Sequence, residues 1–188
     1  TTTANGLSRP RGSVIEEVSG ICDGRVVRSE SGVYTMPNVT DIFYHLTSFQ
    51  TLTGSEITYF APVGAKRVKY QLEVKLKASG YSGISHYKLF VDDVEVTKFR
   101  TTRNYSYSSS NQGNLYESFV WVFDCDGTAD AATGTFSEWI GGKTIRMEAR
   151  EYNSSYQMQL HNNSWWDGSG ASGVEQLGEP ILTITAYA

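Results

Sequence analysis

Acidic and imidazole side chains are the residues of this chain that could bind a metal ion. Asp124, Asp126 and Asp130 have the spacing that begins a calcium-binding loop, but no Glu closes the loop, so we interpret the run as a solvated turn. The chain has three histidines, His45, His86 and His161. They show no metal-ligand spacing, although a fold that gathered them could bind zinc. The sequence therefore predicts neither a metal site nor a cofactor.

No pattern in the chain indicates an enzyme. Pairs such as Asp41 with His45, or Ser85 with His86, are close only in the sequence. A catalytic set has to converge in space, and none of these pairs has a spacing specific to a known catalytic arrangement. We therefore predict a non-enzymatic protein.

The two cysteines each begin the tripeptide Cys-Asp-Gly. Cys22 is predicted in a turn after one strand and Cys125 at the end of another, so the two could face each other. A disulfide between them would stabilise the fold by about 2 to 4 kcal/mol. The alternative is two separate thiols, because their spacing fits neither a redox site nor a zinc site.

A low-complexity segment rich in Tyr, Ser and Asn extends from Thr101 to Asn114. We expect it to be an exposed loop. Its composition is typical of adaptable recognition loops, in which Tyr105 and Tyr107 would supply rigid contact area and the small polar residues would supply hydrogen bonds. The alternative is a solvated connector between strands.

A second aromatic candidate is the run that contains Trp165, Trp166 and Asp167. Neighbouring side chains of a strand point to opposite faces, so both tryptophans cannot lie in one core. We expect at least one of them to contact a partner. That partner is either a sugar ring stacked on the indole or, as we favour, a neighbouring subunit.

Composition excludes two classes of partner. The net charge of −4 gives no broad basic surface that could neutralise a phosphate backbone, so we predict no nucleic-acid binding. No apolar run approaches the roughly 20 residues needed to cross a bilayer, so we predict no membrane insertion. The 188 residues are expected to form one core.

Alternation of apolar and polar residues is the strongest structural signal. In Lys66 to Lys77 every second residue is apolar, which predicts a strand with one buried face. Asp92-Asp93 predicts the turn of a hairpin between Tyr87 to Val91 and Val94 to Phe99. The stretch Lys143 to His161 shows the same alternation on both sides of a polar Asn-Ser-Ser turn and predicts a second hairpin.

These patterns predict an all-β protein with about ten strands and almost no helix. We expect an antiparallel β-sandwich, and the long connections favour jelly-roll wiring, with a closed barrel as the alternative. Residues 1–12 lack periodicity and are predicted to be a linker. Residues 13–188 are predicted to be a single sandwich domain.

Several short motifs resemble a β-module of virion structural proteins from marine phages that infect cyanobacteria. They are Gly12-Ser-Val-Ile-Glu, Cys22-Asp-Gly, Tyr34-Thr-Met-Pro-Asn-Val-Thr40, Gly83-Ile-Ser-His-Tyr-Lys-Leu-Phe90, Val94-Glu-Val-Thr97, Thr133-Gly134, Trp139, Lys143-Thr-Ile, Ala149-Arg-Glu-Tyr-Asn-Ser-Ser, Leu160-His161 and Trp166-Asp-Gly. Their order and spacing match together from Gly12 to the end of the chain. The chain departs from the module in the Tyr/Ser-rich segment after Arg103 and in Trp165 beside Trp166.

This resemblance implies a structural component on the exterior of a virion, such as a tail-fibre, capsid-fibre, appendage or knob protein. It also implies a homotrimer that is attached to other virion proteins through the N-terminal segment. A host surface glycan is a further candidate partner. Two alternatives are a capsid decoration protein and a carbohydrate-binding module. The family has no established binding residues that could be carried over to this chain.

Overall fold

The computed structural model describes residues 9–78, 82–106, 114–165 and 174–188. Sixteen strands make up nearly all of its regular structure: β1 Val14–Ile21, β2 Val26–Arg28, β3 Val33–Thr35, β4 Phe43–Tyr44, β5 Gln50–Thr51, β6 Ile57–Phe60, β7 Arg67–Ala78, β8 Ser82–Val91, β9 Val94–Glu95, β10 Thr101–Ser106, β11 Asn114–Asp124, β12 Gly142–Glu151, β13 Met158–Leu160, β14 Asn162–Trp165, β15 Val174–Leu177 and β16 Ile181–Tyr187. Two short 3-10 helices cover Thr97–Phe99 and Ser154–Tyr156. No described helix is long and apolar enough to cross a membrane.

Eight of these strands form two antiparallel sheets. The first sheet has the order β1-β16-β7-β11, and the second has the order β6-β12-β8-β10. Numbered along the chain from one to eight, these orders are 1-8-3-6 and 2-7-4-5, which is the wiring of a jelly roll. The predicted all-β antiparallel sandwich with jelly-roll wiring is therefore confirmed, although the described residues form sixteen strands and not the predicted ten or so, because short strands form within the long connections.

The short strands lengthen the sheets at one end. Strand β13 extends the first sheet by pairing with β7, and β4 pairs with β13. Strand β5 extends the second sheet by pairing with β12. They belong to the two longest connections, residues 22–56 and 152–180. These connections meet where the backbone N–H of His45 donates to the carbonyl oxygen of Met158.

Strand β7 is the centre of the first sheet, and it confirms the predicted alternation. Its inward side chains are at most 1% exposed: Val68, Tyr70, Leu72, Val74 and Leu76. A shift of one residue would place its charged side chains in the core, where an unpaired charge is costly. The hydrophobic pattern therefore fixes the register of this strand against β11 and β16.

The predicted hairpin turn at Asp92-Asp93 is confirmed, but the second strand, predicted over Val94 to Phe99, ends at Glu95, and Thr97–Phe99 is a 3-10 helix. Strands β8 and β9 pair on either side of the turn. Asp92 and Asp93 have φ angles of 49° and 64°, and two positive values are the signature of a type I′ turn. An Oδ1 atom of Asp92 also accepts a hydrogen bond from the backbone N–H of Thr144 at 2.9 Å, which ties the turn to β12.

The predicted hairpin from Lys143 to His161 is wrong in its second half. Its first strand exists as β12, with Ile145, Met147 and Ala149 fully buried as expected. However, β12 is paired with β8 along one edge and with β6 and β5 along the other. Because neither edge is free, the chain crosses to the other sheet, where β13 pairs with β7.

The predicted loop from Thr101 to Asn114 is wrong at both ends. Thr101–Ser106 is strand β10, and Asn114 begins strand β11. Threonine and tyrosine are good strand formers, and Tyr105 packs against the hydrophobic core here. Residues 107–113 lie outside the described residues.

The disulfide considered between Cys22 and Cys125 does not form, and both thiols are free and buried. Cys22 follows β1 and Cys125 follows β11, and strands β16 and β7 lie between those two in the same sheet. Three inter-strand spacings amount to about 14 Å, whereas a disulfide needs Cα atoms within roughly 7 Å.

We expect both thiols to be unreactive in the folded protein. Burial raises the pKa of Cys22 and of Cys125 to about 12, so the reactive thiolate is scarce near neutral pH. An aromatic disulfide reagent at about pH 8 should label neither thiol in the native protein and both in concentrated guanidinium. A thermal midpoint that falls on addition of dithiothreitol would contradict the assignment of two free thiols.

Candidate interaction surfaces

Tyr105, a predicted recognition residue, links the two sheets. It lies on β10 and is half-buried, and its hydroxyl donates to a carboxylate oxygen of Glu117 on β11 at 2.7 Å. The guanidinium of Arg103 donates to the other oxygen of the same carboxylate at 2.8 Å. Burial and the Glu117 carboxylate raise the pKa of Tyr105 above its ordinary value. Its hydroxyl is therefore occupied within the fold.

Trp165 is exposed at the end of strand β14. It lies opposite Val174 in a hairpin with β15, and 59% of its surface is accessible. The other predicted recognition residues, Tyr107, Trp166 and Asp167, lie outside the described residues. The Trp165 indole is therefore accessible, and its contact with a partner stays a prediction.

The acidic side chains of the predicted turn are engaged in an ion pair and in hydrogen bonds. Asp126 forms an ion pair with Lys66 at 3.7 Å. Asp130 accepts hydrogen bonds from the backbone N–H of Ala132 at 2.9 Å and from the hydroxyl of Thr133 at 3.0 Å. In the described part of the chain, no group of three or more His, Cys, Asp or Glu side chains could hold a metal ion.

The fold brings two of the three histidines into its interior. His45 Nδ1 lies 2.8 Å from the hydroxyl of Ser85, and His161 Nε2 lies 2.9 Å from the carbonyl oxygen of Thr53. Both rings are fully buried. His86 is on the outer face of β8, where its Nδ1 lies 2.9 Å from the Thr102 hydroxyl. The histidines therefore do not form the three-ligand site that was considered.

Burial keeps both interior histidines neutral. It lowers the pKa of His45 to about 3, and the nearby His161 acts in the same direction. It also lowers the pKa of His161 to about 4. His161 has a φ angle of 62°, a left-handed conformation that is uncommon outside glycine and asparagine. This strained residue joins connection 152–180 to Thr53 in connection 22–56.

One side of the sandwich is closed by the β2–β3 hairpin. The hairpin bridges the edges of β1 and β6 through Glu16, whose carboxylate accepts hydrogen bonds from the backbone N–H of Ser31 at 2.7 Å and from the hydroxyl of Tyr59 at 2.8 Å. The hydroxyl of Tyr34 also accepts from the backbone N–H of Phe60 at 3.3 Å. No spacing in the sequence signals this closure, so it could not be predicted from the sequence.

The opposite side of the sandwich carries an uncovered edge strand. Strand β11 pairs with β7 in unbroken register from Asn114 to Asp124, and Ser118–Val122 shows no other backbone partner among the described residues. On its outer face Tyr116 is 76% exposed, and Val120 and Val122 are each more than 40% exposed. This edge was also missed, because edge position depends on the whole topology.

Comparison with known proteins gives no family for the chain. No protein-family model and no curated protein matches it. One solved structure, of infectious bursal disease virus Gt strain, is 13% identical, with a TM-score of 0.30. The alignment covers 88% of this chain and 43% of that chain, so this chain spans less than half of that protein. A TM-score this low establishes no shared fold, and the strand order alone defines the architecture.

Proposed function

We propose that this protein is a non-enzymatic structural component of a virus particle, displayed on the exterior as a fibre, appendage or knob. The observation that carries the proposal is the jelly-roll strand order in a chain whose motifs resemble a phage virion module. Jelly rolls recur in capsid and lectin domains and in cupins, so the fold has to be combined with the site to reach a function.

The interior of the sandwich argues against a cupin-like enzyme. Such an enzyme needs several metal ligands that converge in an accessible cavity. Here His45 and His161 are fully buried, and their hydrogen-bond partners Ser85 and Thr53 are neutral. No third ligand joins them among the described residues. These side chains are suited to packing in the core and not to catalysis.

The polarity of the molecule suits attachment at one end and display at the other. Gly12 donates its backbone N–H to the carbonyl oxygen of Ala188, close to the start of β7. The β14–β15 hairpin begins beyond Leu160, which pairs with Leu76 near the far end of β7. The twelve residues of β7 span about 40 Å. An N-terminal attachment to other virion proteins would therefore leave Trp165 at the outward part of the domain.

Antibody labelling of particles tests this proposal. Virus-sized particles purified from a culture that produces the protein should carry it, and a gold-labelled antibody against the folded domain should decorate their exterior in electron micrographs. An antibody against another virion protein of the same particle serves as the control for accessibility. Recovery of the protein only in the soluble fraction, apart from particles, would contradict the proposal.

A further inference from the structure

The edge strands on the two sides of the sandwich differ in whether another element covers them. On the closed side, β1 carries a register irregularity between Val14 and Glu16 and lies under the β2–β3 hairpin. On the open side, β11 has no irregularity, and Ser118–Val122 has no described partner along its outer edge; beyond this stretch the carbonyl oxygen of Asp124 accepts from the backbone N–H of Phe136. We propose that two copies of this protein pair antiparallel along β11, so that the first sheets of both copies join into one continuous sheet.

The composition of β11 is that of a strand that is covered in the assembled protein. Exposed edges in monomeric proteins are protected by lysine, proline or a bulge, because free backbone groups otherwise pair with another chain. The eleven residues of β11 contain neither lysine nor proline, and Ser118–Phe123 carries no charge. The free stretch Ser118–Val122 is about 17 Å long, which is the length of an ordinary strand pairing.

A second copy of the chain fits this edge because the exposed residues complement themselves. A two-fold axis perpendicular to the sheet places outward side chains opposite outward side chains. With Val120 on the axis, it faces Val120 of the second copy, and Ser118 faces Val122 of the second copy. No like charges meet in this register, and the apolar pairs stabilise it.

Paired lysines on the edge test this contact. The variant V120K/V122K leaves the core untouched, since both side chains are partly exposed, but it sets like charges opposite each other in the pair. In light scattering coupled to gel filtration at about 50 µM, the wild type should be a dimer, and the variant should associate about tenfold more weakly or worse. V63K/I140K is the matched control, because Val63 and Ile140 are also exposed but lie away from β11.

Charge reversal distinguishes a specific contact from general repulsion. A mixture of V120K/V122K with V120E/V122E should form mixed dimers, because opposite charges then face each other across the axis. Circular dichroism and the thermal midpoint confirm that each variant is folded.

Three outcomes would overturn the pairing: a monomeric wild type, a V120K/V122K variant that remains fully dimeric, or the homotrimer that the resemblance to phage virion proteins implies, since a two-fold edge contact cannot close a ring of three. The pairing does not depend on the virion role. Failure here would leave that role standing, because particle labelling tests it separately.

Discussion

Lowering the pH from 7 to 5 is expected to reduce the free energy of unfolding by about 4 kcal/mol, because two histidines are buried in their neutral form. The pKa of His45 is about 3 and that of His161 about 4 in the folded protein, against an ordinary 6.5. Their partners Ser85 and Thr53 are neutral, so neither partner supplies a negative charge to an imidazolium.

The sign of the effect follows from where the protons bind. Above about pH 6.5 both histidines are neutral in the folded and unfolded chains, so the full stability is present. Below that pH the two histidines bind protons in the unfolded chain, whereas they stay neutral in the folded chain. Stability is therefore lost from about pH 6.5 down to the folded pKa values of about 4 and 3. Glu151, whose pKa is raised by burial, titrates in the opposite sense and offsets part of the loss.

Urea unfolding at pH 7, 6 and 5 measures this loss. His161→Asn removes one titrating group and retains a residue that tolerates the left-handed backbone, while His45→Asn removes the other. Each variant is less stable at pH 7 but should show about half of the wild-type loss between pH 7 and 5. His86→Asn is the comparison for a less buried histidine: burial and the nearby Arg150 lower the pKa of His86 as well, so this variant should remove a smaller part of the loss than either interior variant. A wild-type stability that does not change over this range would contradict the neutral, buried state of the pair.

The loss of stability at low pH should first affect the region where the two long connections meet. His45 belongs to connection 22–56 and His161 to connection 152–180, and each ring binds a residue outside its own connection. Protonation of either ring would favour conformations in which that ring reaches water. The end of the sandwich near β13 and β4 is therefore expected to open before the central strands, which hydrogen exchange at low pH would resolve.

Local patterns in the sequence were sufficient for the architecture but not for pairing. The alternation in β7 and the two aspartates of the β8–β9 turn follow from side-chain period and backbone preference, which act within a few residues. The hairpin predicted from Lys143 to His161 failed because strand partners depend on which edges are free. Both edges of β12 are occupied by strands from elsewhere in the chain.

The interaction surfaces depend on the same long-range information. Tyr105 is a residue type common in recognition loops, yet its hydroxyl donates to Glu117 on the facing strand. The outer residues of β11 look like those of any half-exposed strand until the topology places that strand at an edge. His45 and His161 are more than a hundred residues apart, so only the completed sandwich brings them close.

Gly54→Ala is expected to destabilise the protein by about 3 kcal/mol, of which roughly 1 is backbone strain and the rest overpacking. Gly54 has a φ angle of 84°, and an added Cβ would lie 2.7 Å from Pro180 Cγ and 2.9 Å from Val39 Cγ2. Proline is rigid and Val39 is buried, so neither can move away cheaply. Both connections pack against each other at this point, where the Cys22 thiol donates to the carbonyl oxygen of Gly54 at 3.4 Å.

Gly141→Ala is the matched control for backbone strain. Gly141 has a φ angle of 68°, and nothing lies within 4 Å of an added Cβ, so this variant should lose only about 1 kcal/mol. The difference between the two variants in urea unfolding at neutral pH therefore isolates the steric contact of Gly54 with Pro180 in connection 152–180 and with Val39 in its own connection 22–56. Equal losses would mean that Pro180 and Val39 do not press on Gly54. A much larger loss at Gly54 would show that close packing between these connections holds this end of the sandwich together.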